Sequence, residues 1–168
     1  MSSPEKTPPQ QLHLPVLLED VLTQLAPIKG ETYLDLTAGY GGHARAIIER
    51  IGAAQNATLV DRDDFAIQHL QDLAAQGSVI INRDFGSAAA YLAKAGKQFD
   101  MILVDLGVSS PQLDNPDRGF SILRPGPLDM RMDRTQQEIA ADLVNSLSEI
   151  ELTRILRDYG EEPKARFV

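Results

Sequence analysis

Asp35, Gly39, Gly41 and Asp61 stand at a spacing that suits a bound nucleoside. In Asp35-Leu-Thr-Ala-Gly39-Tyr-Gly41-Gly42-His43-Ala44 the glycines permit a tight strand-to-helix turn and let the backbone approach a ligand closely. Asp61 ends the next apolar run, twenty residues after Gly41. A carboxylate there can accept both hydroxyls of a ribose. Gly39-x-Gly41-x-x-Ala44 also satisfies the dinucleotide fingerprint, which keeps NAD open as the ligand. Asp35 and Asp105 favour another cofactor. Carboxylates at neighbouring strand ends attract the cationic amine and sulfonium of S-adenosylmethionine and would repel a pyrophosphate. The bland alternatives are that Asp35 and Asp61 cap adjacent turns and that His43 lends only its backbone N–H. Phe85, after the third strand, is either a core residue or a ring packed on an adenine.

A second stretch able to do chemistry runs from Asp105 to Asp133. It has neither helical nor alternating period and is broken by Pro111, Pro116, Pro125 and Pro127. Loops of this length inside a compact domain are usually functional or disordered. Leu106, Val108, Leu113, Phe120, Ile122, Leu123, Leu128, Met130 and Met132 are too many apolar groups for a solvated linker, so an ordered active-site loop is expected. Ser109 and Ser110 could accept hydrogens from a substrate amine, or simply form the turn before Pro111. No catalytic base is evident.

Net charge is −8, which argues against general affinity for nucleic acid. The charge is uneven. Residues 1–117 carry 15 acidic and 8 basic side chains, whereas residues 118–134 hold Arg118, Arg124, Arg131 and Arg134 against Asp129 and Asp133. A local basic loop could meet RNA, with Arg118, Phe120, Arg124 and Arg131 as candidates for gripping backbone or stacking on a base. The competing reading is a loop held by Arg–Asp pairs. Cysteine is absent, which excludes disulfides and thiolate chemistry and fits a cytoplasmic protein. His13, His43 and His69 lack metal-ligand spacing, and no apolar run is long enough to span a bilayer.

The elements that must position these groups alternate. Apolar residues from Val16 to Leu25 recur at helical spacing. Thr32–Leu36 reads as a strand, and a helix opening at Gly41 or Gly42 carries Ala44, Ile47, Ile48 and Ile51 on one face before Gly52. Strand Thr58–Asp61, helix Phe65–Ala74, strand Val79–Ile81, helix Ser87–Ala95 and strand Phe99–Asp105 follow. That order implies a parallel, doubly wound α/β sheet. After the loop, Thr135-Gln-Gln-Glu138 and Ser148-Glu-Ile-Glu151 each have capping-box form and open two short amphipathic helices, and residues from Glu161 suggest a third. The polar, Pro-rich residues 1–12 are expected to be a disordered tail.

Together these motifs resemble the bacterial small-subunit ribosomal RNA methyltransferase H, or MraW, family. The resemblance rests on His13-Leu-Pro-Val-Leu-Leu18, Gly39-Tyr-Gly-Gly-His43, Asp61-Arg-Asp63, Asp105-Leu-Gly-Val-Ser-Ser-Pro-Gln-Leu-Asp114, Arg118-Gly-Phe-Ser121, Pro127-Leu-Asp-Met-Arg-Met-Asp133 and Tyr159-Gly-Glu-Glu162. It implies S-adenosylmethionine-dependent methylation of the N4 amine of a cytosine in 16S ribosomal RNA. It further implies that Gly41, Gly42 and His43 line the methionine end of the cofactor, that Asp61 holds the ribose and Phe85 the adenine side, and that Asp105 and Gln112 complete the site. The expected fold is a class I, Rossmann-like methyltransferase sheet over residues 13–133, incomplete, with the start of an inserted helical domain at 134–168. Family members are longer, so a truncated module that binds the cofactor and transfers nothing is the alternative.

Overall fold

The computed structural model describes residues 15–168, and the expected tail and His13 lie outside them. The chain forms two compact units that divide between Gly107 and Val108.

In the first unit, helix α1 (Leu18–Leu25) precedes strand β1 (Tyr33–Asp35), helix α2 (Gly42–Ile51) and strand β2 (Ala57–Asp61). Helices α3 (Asp64–His69) and α4 (Gln71–Ala75), strand β3 (Val79–Asn82), helix α5 (Phe85–Lys94) and strand β4 (Met101–Leu103) complete it. The strands form one parallel sheet in the order β3-β2-β1-β4. This is the doubly wound α/β arrangement read from the sequence.

Period-two alternation sorts the strand residues to two faces. Tyr33, Ala57, Leu59 and Met101 pack with Leu22 of α1, Ala44, Ile47, Ile48 and Ile51 of α2, and Leu73 of α4. Leu34, Leu36 and Val60 pack on the other face with Ala88 and Leu92 of α5. Each fully buried aliphatic such as Ile47 or Leu59 contributes about 1.5–3 kcal/mol. The β4 edge is less covered, with Ile102 and Val104 exposed.

Several element ends differ from expectation, and two of the differences have a visible cause. The single helix expected over Phe65–Ala74 breaks at Leu70 (φ −96°, ψ 1°), where the Arg45 guanidinium donates to the His69 carbonyl at 2.9 Å. A side chain of α2 thus satisfies a carbonyl that a continuous helix would satisfy itself. Strand β4 stops at Leu103 rather than Asp105, because the Asp105 N–H leaves the ladder for the Thr37 hydroxyl.

The second unit contains the short helix α6 (Ser110–Asp114), a 3-10 turn (Pro116–Arg118), helices α7 (Ala140–Ser146) and α8 (Glu149–Asp158), and a closing 3-10 turn (Ala165–Phe167). The long segment therefore has some regular structure of its own. Most of its apolar side chains do not order it: Ile122 and Leu123 are 98% and 89% exposed, Leu106, Val108, Leu113, Leu128 and Met130 are exposed too, and only Phe120 and Met132 are half-buried. Polar groups do. The buried Arg118 guanidinium donates to the Arg131 and Met132 carbonyls at 3.1 and 3.3 Å, and the Met130 N–H donates to the Arg118 carbonyl at 3.0 Å. At Gly119 (φ +77°) a Cβ would fall 2.4 Å from the Pro127 oxygen, so only glycine fits.

The capping box at Thr135 is not formed. Asp133 captures the Thr135 N–H and hydroxyl at 2.9 and 2.6 Å, a local competition that Asp side chains often win. Helix α7 starts at Ala140 instead, its first N–H groups held by the Asp129 and Leu128 carbonyls. The Ser148 box is formed: Ser148 Oγ accepts the Glu151 N–H while Glu151 Oε2 accepts the Ser148 N–H. Beyond Glu161 there is only the 3-10 turn.

Candidate cofactor-binding site

All four strands are parallel, so the segments after β1, β2, β3 and β4 emerge on one side of the sheet. Strand order also reverses beside β1: the chain steps outward to β2 and β3, then returns to β4 on the other flank. The carboxyl ends of the strands at such a reversal are where open α/β proteins bind ligands. The residues read from the sequence collect there: Gly39 to His43 after β1, Asp61 ending β2, Phe85 after β3 and Asp105 after β4.

The glycine turn is locked by its own constraints. Gly41 caps α2 at φ +82°, and a Cβ there would lie 2.9 Å from Leu70 Cδ2. At Gly42 a Cβ would meet the Pro15 ring at 3.1 Å. The two glycines thus let α2 start tight against the neighbouring chain.

Asp61 bonds this turn. Its Oδ2 accepts the Gly39 N–H at 2.8 Å and its Oδ1 the Asp63 N–H at 2.8 Å. Each oxygen keeps a further lone pair, so two hydroxyls can still be received. Burial raises its pKa, and the two N–H groups oppose that rise.

Asp35 plays a different part from the one its sequence position suggested. It is 1% exposed, so no ligand touches it. Its Oδ2 accepts the Tyr33 hydroxyl at 2.7 Å and its Oδ1 the Thr37 N–H at 3.1 Å. Burial pushes its carboxyl up to about 6 and raises the Tyr33 phenol as well. Asp35 fastens the turn from beneath, as the capping alternative had it. Of the two carboxylates read at neighbouring strand ends, Asp105 is the exposed one.

His43 contributes more than a backbone N–H. Its ring is buried, with Nε2 3.0 Å from the Val16 carbonyl and Nδ1 4.0 Å from Asp105 Oδ2. The carbonyl only accepts, so Nε2 carries the hydrogen. Phe85 opens α5 just after its N-cap Asp84, and its ring is about half exposed rather than part of the core.

Gln112 belongs to the second unit, where its Oε1 accepts the Ser109 N–H at 2.9 Å. Ser109 Oγ is enclosed and has no partner among the described residues. Of the arginines considered for RNA, Arg118 is buried and committed to carbonyls, and Arg131 donates twice to Asp129 at 2.8 Å. That ion pair holds the Asp129 carboxyl well below its usual range. Arg124 is bound through Nη1 to the Asp114 carbonyl. The Arg–Asp alternative therefore describes Arg131.

Sequence reasoning passed over Tyr33 and Thr37. A signal was present: in extended chain, positions 33, 35 and 37 share a face.

Among the described residues there is no cluster of His, Cys, Asp and Glu able to hold a metal, and no helix is long and apolar enough to cross a membrane. A parallel sheet with a glycine turn after β1 and an acidic residue ending β2 defines a Rossmann-like methyltransferase arrangement. The chain belongs to the MraW methylase family, whose profile matches residues 10–168. It is 46% identical over 156 residues to the ribosomal RNA small subunit methyltransferase H of Gloeothece citriformis, covering 92% of this chain and 52% of that protein. The protein of that name from Methylococcus capsulatus is 46% identical over 157 residues, 87% of this chain and 50% of its own length. The human 12S rRNA N(4)-cytidine methyltransferase METTL15 is 44% identical over 165 residues, 93% of this chain and 40% of its own. The chain spans about half the length of the curated relatives it matches.

Proposed function

We propose that this chain binds S-adenosylmethionine and serves methylation of the N4 amine of a cytosine in small-subunit ribosomal RNA. The observation that carries the cofactor assignment is the acidic character of the glycine turn's surroundings, Asp61 on one flank and Asp105 on the other. These suit ribose hydroxyls and a cationic amine, and they disfavour a pyrophosphate. The donor set thus fits the cofactor. In this reading Gly41, Gly42 and His43 line its methionine end, Asp61 takes the ribose, Phe85 covers the adenine, and Asp105 and Gln112 complete the site. The names of the relatives support the RNA assignment, and a cytoplasmic location is part of the same proposal.

Bound there, the cofactor supplies a methyl group already activated by its sulfonium. A cytosine amine is a weak nucleophile because its lone pair is shared with the ring. The protein's work is alignment of the amine and stabilisation of charge developing on nitrogen. Ser109, Ser110 and the backbone carbonyls near them, in the segment after β4, are candidates to accept the amine hydrogens.

Titration calorimetry with S-adenosylmethionine and with NAD tests the cofactor. Saturable binding of the first alone is expected, and binding of NAD alone would overturn the reading. Transfer of labelled methyl to small-subunit RNA, with N4-methylcytosine identified after digestion, tests the reaction. Cofactor binding without transfer under any RNA or subunit presentation would favour a binding module.

A further inference from the structure

We propose that Thr37 is a positioning residue of the cofactor site, whose hydroxyl fixes the main chain of Asp105 and thereby sets where that carboxylate points. The inference rests on the cofactor reading above and adds a residue that neither the motifs nor the resemblance singled out.

Strand β4 has its last rung where the Leu36 N–H donates to the Leu103 carbonyl at 3.0 Å. Beyond it, the Asp105 N–H has no strand to pair with. The Thr37 hydroxyl oxygen accepts it at 2.7 Å, a link between residues 68 apart in sequence. Thr37 is itself held, because its N–H donates to the buried Asp35, which also takes the Tyr33 hydroxyl. A line of hydrogen bonds therefore runs from the β1 core through Asp35 and Thr37 to Asp105.

Little else restrains Asp105. Its side chain is 56% exposed and its nearest cationic candidate, His43 Nδ1, stands 4.0 Å away, beyond hydrogen-bonding range. Leu106, the next residue, is 67% exposed, so packing does not hold the segment either. An exposed carboxylate on an unanchored chain would lose entropy on capturing a cation; anchoring its backbone beforehand reduces that cost. The hydroxyl supplies the anchor.

The test uses the 168-residue chain with Thr37→Val, which keeps shape and removes the hydroxyl, and Thr37→Ser, which restores it. Two ligands are titrated: S-adenosylmethionine, and 5′-methylthioadenosine, which has the same nucleoside without the amino-acid end. Thr37→Val should weaken the first roughly five- to tenfold, the size of one lost hydrogen bond, and leave the second unchanged. Thr37→Ser should recover the wild-type affinity. Amide exchange at Asp105, followed by NMR, should accelerate in Thr37→Val and not in Thr37→Ser. Equal weakening of both ligands, unchanged affinity for S-adenosylmethionine, or an unchanged Asp105 amide would each overturn the proposal. A wild-type chain that binds neither ligand would overturn the cofactor reading instead, and with it the direction given to Asp105. The amide measurement would then still decide whether the hydroxyl holds the main chain.

Discussion

Asp61 accepts the Gly39 N–H at 2.8 Å, so the residue read as a ribose ligand also ties the end of β2 to the glycine turn after β1. Its other oxygen does the same for Asp63, the N-cap of α3. One carboxylate thus ties the turn together and, in the proposed reading, offers its remaining lone pairs to the ribose. Asp61→Asn keeps the shape but turns an amide donor toward an N–H donor. Two charge-assisted bonds to a ribose are worth about 3 kcal/mol together. Asp61→Asn should therefore weaken S-adenosylmethionine by about 100-fold or more in calorimetry. An affinity within threefold of wild type would remove Asp61 from the ligand contacts.

Asp35 makes stability depend on pH in an unusual direction. Its folded pKa is about 6, above an unfolded value of about 3.9, because burial disfavours the charge. Between those values the folded chain binds more protons than the unfolded one, so this group's contribution falls as pH rises. Two units correspond to about 3 kcal/mol lost between pH 4 and 6, with no further change above. Asp61, also raised by burial, acts in the same sense, whereas Asp129, lowered by Arg131, acts oppositely and at lower pH. Comparison with Asp35→Asn isolates the term. The stability of wild type relative to Asp35→Asn, from urea unfolding, should decline from pH 4.5 to 6 and level off above 6.5. A flat difference across that range would show that Asp35 does not titrate there.

Much of the first unit could be read directly because its signals are local. Gly41 and Gly52 bracket α2 as positive-φ caps, and the apolar spacing between them faces the core. The Ser148 box is complete within four residues. Features set by distant partners were not legible. The break at Leu70 depends on Arg45, a residue of another helix, and the false start at Thr135 depends on Asp133 winning its N–H. At the site, residue type revealed the carboxylates but not their exposure. Asp35 and Asp105 look alike in sequence, yet one is sealed beneath the turn and the other stands in solvent. Burial is a property of the packed sheet, and no motif encodes it.

The two glycines that open α2 should respond unequally to a methyl group. Gly41 sits at φ +82° with Leu70 2.9 Å from the Cβ position, so Gly41→Ala meets both backbone strain and a clash. A left-handed non-glycine residue alone costs about 1–2 kcal/mol. Gly42 is the first helical residue, without positive φ, and its neighbour is the edge of the Pro15 ring at 3.1 Å. The propensity advantage of alanine, about 1 kcal/mol in a helix interior and smaller at this first position, offsets part of the contact. Gly41→Ala should lower the unfolding free energy by about 2 kcal/mol or more, and Gly42→Ala by less than about 1 kcal/mol. Equal losses in urea titrations would contradict the geometry.

Arg118 should matter to the second unit as a fastener. Its guanidinium is buried, spans the loop to the Arg131 and Met132 carbonyls, and lies 6.0 Å from the centre of the Phe120 ring. Removing it strands two carbonyls, each costing about 1–3 kcal/mol if left unsatisfied. Both bonds leave from one nitrogen, Nη2, and lysine keeps the charge on a side chain that ends one atom short of it. Arg118→Ala and Arg118→Lys should both release the segment around Arg131 and Arg134, raising tryptic cleavage there roughly tenfold, in line with a local opening energy reduced by about 1.4 kcal/mol. Because the fold of residues up to Gly107 has its own core, far-ultraviolet dichroism should change little. Cleavage at wild-type rates in both variants would mean that the loop is ordered by something other than the Arg118 bonds, the Asp129–Arg131 pair being the next to remove.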